Sequence, residues 1–341
     1  MSNSRHRLKW LGAFILLTLA GCVEGSTPAN VIVPTETATL LPSDTHLSTT
    51  RTHLPEIALT PTASAINIPG LVGKIAFVAM GKQSGVFLID ADGSNMKKIS
   101  ESGGFVRSTY LSWSPDGIKI ALTFSSDPTS TVQIYTMNID GSELTRITTG
   151  PHHKLEFSWS PDGKRFAYIE QGEVQDNVVV VNADGTQPRK LTYGGFDRYP
   201  TWSPDGSQIA YIHYPDISNN IKLYTMDANG ENVHQITDFP VGLYNLAWSP
   251  DGTRIAFISD EKCGRVYTVE IATGDLKALT EKDCAKDPTW SSNGAYIAYV
   301  AVRTQYSMTD WKLYIVTPDG NQIYHLATFP DLDVFNLSWS P

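Results

Sequence analysis

The chain has little cysteine, little positive charge and no signature of a known catalytic apparatus. Only Cys263 and Cys284 accompany Cys22, and no Cys-x-x-Cys occurs, which leaves one disulfide or two free thiols and no metal pair. Basic residues number 26 against 35 acidic ones, a formal net charge of −9. That balance excludes nucleic acid as a partner, because phosphate neutralisation needs a basic surface. There is no Gly-x-Ser-x-Gly elbow, no His-Glu-x-x-His and no phosphate-cradling Gly-Lys-Ser/Thr loop. No cofactor or metal is implied. The one marked apolar run, Trp10 to Leu19, is too short to span a membrane comfortably.

What is present is repetition. Trp-Ser-Pro-Asp-Gly occurs at Trp113, Trp159, Trp202 and Trp248, degrades to Trp290-Ser291-Ser292-Asn293-Gly294, and is cut short at Trp339-Ser340-Pro341. Successive tryptophans lie 46, 43, 46, 42 and 49 residues apart, a period that belongs to solenoids, propellers or arrays. Pro presets the first corner of a turn, Asp bonds the backbone that follows it, and Gly accepts positive φ, so each stretch reads as a hairpin turn. A turn explains why the Asp recurs, whereas four equivalent catalytic aspartates would not be explained.

After each turn comes a strand with Ala at a fixed place: Ala121, Ala167, Ala210, Ala256 and Ala298, with Ala76 in the first unit. A small residue there predicts close approach of a neighbouring sheet. A strand rich in Tyr, Val and Ile follows, then an Asp-Gly or Asn-Gly turn such as Asn138–Gly141, then a short Ile/Leu-Thr strand such as Arg146–Thr148. Four antiparallel strands per repeat make a propeller blade. The expected fold is therefore all-β, a six-bladed β-propeller over residues 69–341. Its first unit has three strands, Lys74–Ala79, Val86–Ile89 and Met96–Ser100, and the lone C-terminal strand Asn336–Pro341 would complete it and close the ring. The rival reading is that the chain, breaking off inside a motif, is a fragment.

Residues 1–21 read as an export signal: Arg5, Arg7 and Lys9, then the apolar stretch. It ends Leu19-Ala20-Gly21-Cys22, which resembles a bacterial lipobox and makes Cys22 the expected lipidation site. Acyl chains on Cys22 would anchor the protein, each buried CH₂ contributing about 0.8 kcal/mol. Residues 22–68 are rich in Thr, Pro and Ser and read as a tether without a core of its own. The protein is expected to be exported and membrane-anchored on the extracytoplasmic side, periplasmic or at the cell surface, and monomeric.

The pattern Ser-Pro-Asp-Gly, x-Ile-Ala-Tyr/Phe, Leu-Tyr-x-Met/Val, Asp-x-Asp-Gly, x-x-Leu-Thr resembles the WD40-like repeats of the TolB family of β-propellers over residues 70 to 341. The family resemblance implies a six-unit propeller that binds envelope proteins without catalysis. The N-terminal α/β domain of that family is replaced here by a lipobox and tether, so only the binding propeller is carried over. Fold analogy puts ligands on the face bearing the loops between blades. The candidates there are Arg107, His152, His153, Asp197, Arg198, Tyr199, Tyr244, Lys286, Asp287, Asp333 and Phe335. Cys263 and Cys284 fall in loops of one face within one unit, where a disulfide is plausible in an oxidising compartment. The expected function is a non-catalytic module binding an envelope protein, peptide or glycan. The alternative is a propeller-fold hydrolase or lyase, metal-assisted through His152, His153, Asp197 and Asp333.

Overall fold

The turn motif closes through its own side chains. In the first copy Ser114 Oγ donates to Asp116 Oδ1 at 2.6 Å, Ile118 N donates to the same oxygen, and Lys119 N donates to Ser114 Oγ at 2.9 Å. The same bonds recur at Ser160–Asp162, Ser203–Asp205 and Ser249–Asp251, and Asn293 supplies the oxygen in the degraded copy. The seryl hydroxyl is the largest influence holding each of these aspartates below the ordinary carboxylate range. These carboxylates are committed to the turn.

The computed structural model describes residues 68–341 except 82–83, 102–109, 126–128, 215–220, 243, 262, 282–283 and 303–309. The signal, Cys22, the tether up to residue 67 and Arg107 lie outside the described residues. The architecture is all-β, with 24 strands and no helix among the described residues.

The strands fall into successive groups. The first comprises β1 (Lys74–Gly81), β2 (Gly85–Asp90) and β3 (Lys97–Glu101). The second is β4 (Leu111–Trp113), β5 (Lys119–Phe124), β6 (Gln133–Asn138) and β7 (Thr145–Arg146). The third is β8 (Lys154–Trp159), β9 (Arg165–Gln171), β10 (Asp176–Asn182) and β11 (Arg189–Lys190). The fourth is β12 (Phe196–Trp202), β13 (Gln208–Tyr214), β14 (Lys222–Asp227) and β15 (His234–Gln235). The fifth is β16 (Ala247–Trp248), β17 (Arg254–Ile258), β18 (Val266–Glu270) and β19 (Leu276–Ala278). The sixth is β20 (Ala285–Trp290), β21 (Ile297–Ala301), β22 (Asp310–Val316) and β23 (Ile323–Pro330), after which β24 (Leu332–Trp339) ends the series.

Within each group neighbours in sequence pair antiparallel, and β24 pairs with β1 in the order β24-β1-β2-β3. One departure from separate four-stranded sheets occurs. A single parallel pairing, Asp176 with Phe196, joins the third and fourth groups into one eight-stranded sheet. An ion pair spans the same junction, Arg198 Nη1 to Asp176 Oδ2 at 2.5 Å.

The repeated alanines are fully buried, as close approach of a neighbour requires. Ala256 and Ile258 pack in one cluster with Trp290 and Ile297 of the next group, and Ala76 and Val78 with Leu111, Trp113 and Ile120. The core therefore lies between groups, where each fully buried Ile, Val or Phe contributes about 1.5–3 kcal/mol. The Ile/Leu-Thr ending has a task of its own. The hydroxyls of Thr148, Thr192, Thr237 and Thr280 accept the backbone N–H of Ile134, Val178, Leu223 and Val266 in the third strand.

First strands touch one another in succession: β4 meets β8, β8 meets β12, β12 meets β16, β16 meets β20, β20 meets β24, and β24 meets β4. Tryptophans stitch this series. Trp113 Nε1 donates to Ser338 O, Trp248 Nε1 to Thr201 O and Trp290 Nε1 to Ala247 O, in each case the carbonyl one residue before the neighbouring motif tryptophan. The turns interlock as well. A Cβ added at Gly206 would meet Pro161 at 3.2 Å, and one at Gly117 would meet Pro341 at 3.5 Å.

Candidate functional site

Four of the first strands, β8, β12, β20 and β24, carry a bulge three residues before the motif tryptophan. Register slips between Lys154 and Phe157, between Arg198 and Thr201, and between Lys286 and Thr289, and again opposite β1 between Phe335 and Ser338. Two residues there face one on the partner strand, which re-aims a side chain. The residues at this place are Tyr110, Glu156, Tyr199, Asn245, Asp287 and Asn336. Tyr199, Asp287 and Asn336 hold φ of 53°, 52° and 55°. Asn and Asp accept that region readily, whereas a tyrosine does so at a steric cost.

These six positions come together. The Tyr110 hydroxyl donates to Tyr199 Oη at 3.5 Å, and their rings pack edge-on with centroids 5.9 Å apart. Asn245 Nδ2 donates to Asn336 Oδ1 at 3.4 Å, and Asn336 N donates to Asp287 Oδ2 at 2.7 Å. Glu156 is buried, with Arg198 Nε 3.9 Å from its Oε1, while its Oε2 is buried without a hydrogen-bond partner. Burial pushes the Glu156 carboxyl up to about 7, against the pull of the Arg198 guanidinium and the Tyr110 hydroxyl. Burial likewise raises the carboxyl of Asp287 against its bond to Asn336 N, and raises the phenols of Tyr110 and Tyr199 with Glu156 adding to the effect.

A cavity of about 330 Å³ opens beside this set, within the range of small-ligand sites. Its wall draws on the first strands of every group, running from Tyr110, Glu156, Tyr199 and Asn245 past a tier of small residues to the prolines of the turns. That tier, one residue before each tryptophan, is Ser112, Ser158, Thr201, Ala247, Thr289 and Ser338. Among the described residues no Lys, Arg or His lines the cavity. Among the described residues it is bounded at one end by the Ser-Pro turns. The bulge aims polar side chains toward it at mid-strand, which hairpin reasoning does not foresee.

Of the candidates read from sequence, Tyr199 and Asp287 belong to the converging set. Arg198 sits behind Glu156, salt-bridged to Asp176. Asp197 is buried, accepts the Thr192 hydroxyl and lies 2.7 Å from His213 Nδ1. In this trio the hydroxyl is on the acid and not on the imidazole, so it lacks the nucleophile–base contact of acyl transfer. Lys286 Nζ stands 4.8 Å from the Trp311 ring and 5.8 Å from that of Tyr244, and Trp311 Nε1 donates to Asp333 Oδ1 at 3.0 Å. Phe335 packs against the cluster of Val78 and Trp113. His152 is exposed, and His153 Nδ1 accepts Val132 N at 3.0 Å. Among the described residues no three of His, Cys, Asp and Glu are grouped to hold a metal ion. Cys263 and Cys284 are disulfide-bonded. Sequence reasoning missed Tyr110, Glu156, Asn245 and Asn336. Their signal is the column three places before each tryptophan, where every residue is polar or a tyrosine.

Comparison with known proteins agrees with this geometry. Residues 72–237 match the family described as TolB beta propeller domain. TolB from Acinetobacter baumannii superposes with a TM-score of 0.67 at 23% identity, over 80% of this chain and 68% of that one. A TolB-assigned protein from Agrobacterium tumefaciens gives 0.60 at 18% identity, over 79% and 99%. Among curated relatives, dipeptidyl-peptidase 5 of Porphyromonas endodontalis is 31% identical over 107 residues, which is 30% of this chain and 15% of the relative's own length. At these identities the structural likenesses speak to the fold, and the peptidase match spans a small part of that enzyme.

Proposed function

We propose, from the match of residues 72–237 to the family described as TolB beta propeller domain, that this protein is a non-catalytic binding module of the cell envelope, recognising a protein, peptide or glycan partner. In this reading the domain is a six-bladed propeller whose ring is closed by β24, and the cavity is its central channel. The cyclic contact of first strands, β24 to β4 included, supports closure. Cys22 is the lipidation site, and residues 22–68 hold the propeller clear of an extracytoplasmic membrane surface.

One observation carries the binding reading. The repeats share turns, alanines and threonines, but differ at the column three residues before the tryptophan, four of whose members, Tyr110, Glu156, Tyr199 and Asn245, line the cavity. Variation at the focus of a regular scaffold is how a specific site is built. Propeller-fold hydrolase or lyase chemistry is the alternative, and the Asp197–His213 pair is its best candidate acid and base.

The test is capture of envelope components by the detergent-solubilised full chain, comparing the unaltered protein with Tyr110→Ala/Tyr199→Ala. Loss of a reproducibly captured partner supports the assignment, and identical capture removes the cavity from it. Incorporation of labelled palmitate that Cys22→Ser abolishes tests the anchor.

A further inference from the structure

Buried polar atoms without partners point to what the cavity takes. Two lie two residues apart on β8 and both residues line the cavity: Glu156 Oε2 and Ser158 Oγ. A buried carboxylate oxygen or hydroxyl left without a partner costs free energy, so such atoms mark a place for a donor. The hydroxyls of Tyr110 and Tyr199 stand beside the same carboxyl. Among the described residues the wall offers oxygens and π faces and no cation. Two indoles of this sector, Trp159 and Trp202, also have unpaired Nε1–H groups. They are donors, and their counterparts in Trp113, Trp248 and Trp290 bond across the seam between groups, so they belong to that seam.

We infer that the cavity receives a primary ammonium group at the end of a slender chain, held by Glu156 Oε2 and Ser158 Oγ beside the rings of Tyr110 and Tyr199. An ammonium is a compact charge with three donors, and it is attracted to aromatic faces. A guanidinium recognises carboxylates through both oxygens, but here Oε1 already faces Arg198. A divalent cation gathers six or more oxygen ligands with several carboxylates, and Glu156 is the single carboxylate of the wall among the described residues. The chain bearing the ammonium must be slender. Three residues of strand separate Glu156 from Trp159 at the end of β8, roughly 10 Å at the usual rise, with the turn beyond it, deeper than one lysine side chain is long. A free linear amine and the amino end of an extended peptide share this chemistry. The inference rests on the ligand-binding reading above.

Calorimetry on the detergent-solubilised full chain tests it. The probes are 1,5-diaminopentane, n-pentylguanidine as an analogue with a guanidinium and no amine, calcium chloride, and the peptide Gly-Ser-Gly-Ser-Gly with a free or an acetylated amino end. Diaminopentane is expected to bind, with affinity falling at least about ten-fold in Glu156→Gln, the loss of one charge-assisted bond. n-Pentylguanidine is expected to bind more weakly, and the acetylated peptide not at all. Binding of the free-ended peptide above diaminopentane would identify a peptide as the source, and the reverse order a free amine. Should Glu156→Gln not fold, Ser158→Val must weaken the amine, since it removes the second acceptor and leaves the carboxylate. No heat from diaminopentane or the free-ended peptide, equal affinity in the folded Glu156→Gln variant, or displacement by calcium would overturn the inference. An envelope partner captured equally by the unaltered protein and Glu156→Gln would leave the binding reading standing and sink this one.

Discussion

Two sectors of the converging set face the same problem and solve it differently. In one, Asp287 lies between Asn245 and Asn336, which touch each other, and its carboxylate accepts the Asn336 backbone N–H. In the other, Glu156 lies between Tyr110 and Tyr199, which also touch, and one carboxylate oxygen is left without a partner. The column is the same in both, but Asp287 holds a φ of 52° and Glu156 is not in the left-handed region. That difference, the longer Glu side chain and the phenolic neighbours make one acid a structural clasp and leave the other available. A buried acid satisfied by backbone is there for the fold, while a buried acid with a spare oxygen is paid for by something else, here a ligand.

The largest effect that would break this contrast comes from behind the available acid. Arg198→Ala would strand two buried carboxylates, Asp176 and Glu156, and should destabilise the domain by about 3–5 kcal/mol in urea titrations.

Next comes acidity. The Glu156 carboxyl is raised in the folded protein, among Arg198, Tyr110, Asp176 and Tyr199. Its contribution is therefore fully present below the unfolded value of 4.5 and is lost as pH rises through about 7. The loss amounts to up to about 3 kcal/mol by linkage. Asp287 is shifted in the same direction and adds to it. Glu156→Gln should flatten this slope and be the more stable protein at pH 8, as read by urea midpoints across pH.

In the clasp, Asp287→Ala should cost about 1–3 kcal/mol, because the buried Asn336 N–H loses its acceptor. Asp287→Asn, which keeps an oxygen there, should cost less, and equal costs would refute the clasp. The smallest effect is expected from Tyr199→Leu, which forfeits the edge-on pair with Tyr110 for about 1 kcal/mol. Pairing it with Tyr110→Leu in a double-mutant cycle isolates that term.

Much of the fold is legible in the chain because its causes are local. Ser, Pro, Asp and Gly in succession close a hairpin by bonds spanning at most five residues, and alternating Ile, Ala and Tyr mark strands wherever they occur. The recurring alanine even announces its neighbour, since only a small side chain admits the next sheet. The site was half legible. Tyr199 and Asp287 stood out as charged or aromatic residues ahead of a motif, while Asn245 and Asn336 carry no chemistry that sequence reasoning would single out. Glu156, between Leu155 and Phe157, reads as the polar face of an ordinary strand. Lys154, beside which it sits, is spoken for by Glu170, a pairing invisible without the β8–β9 register.

By itself, then, the chain settled strand spacing, turn chemistry and the kinship of its repeats, because each depends on residues near in sequence. Which six side chains meet, which way the cavity faces and which acid keeps a spare oxygen were decided only in three dimensions. A bulge of one residue re-aims a side chain, and the environment that raises a carboxyl is assembled from strands more than forty residues apart.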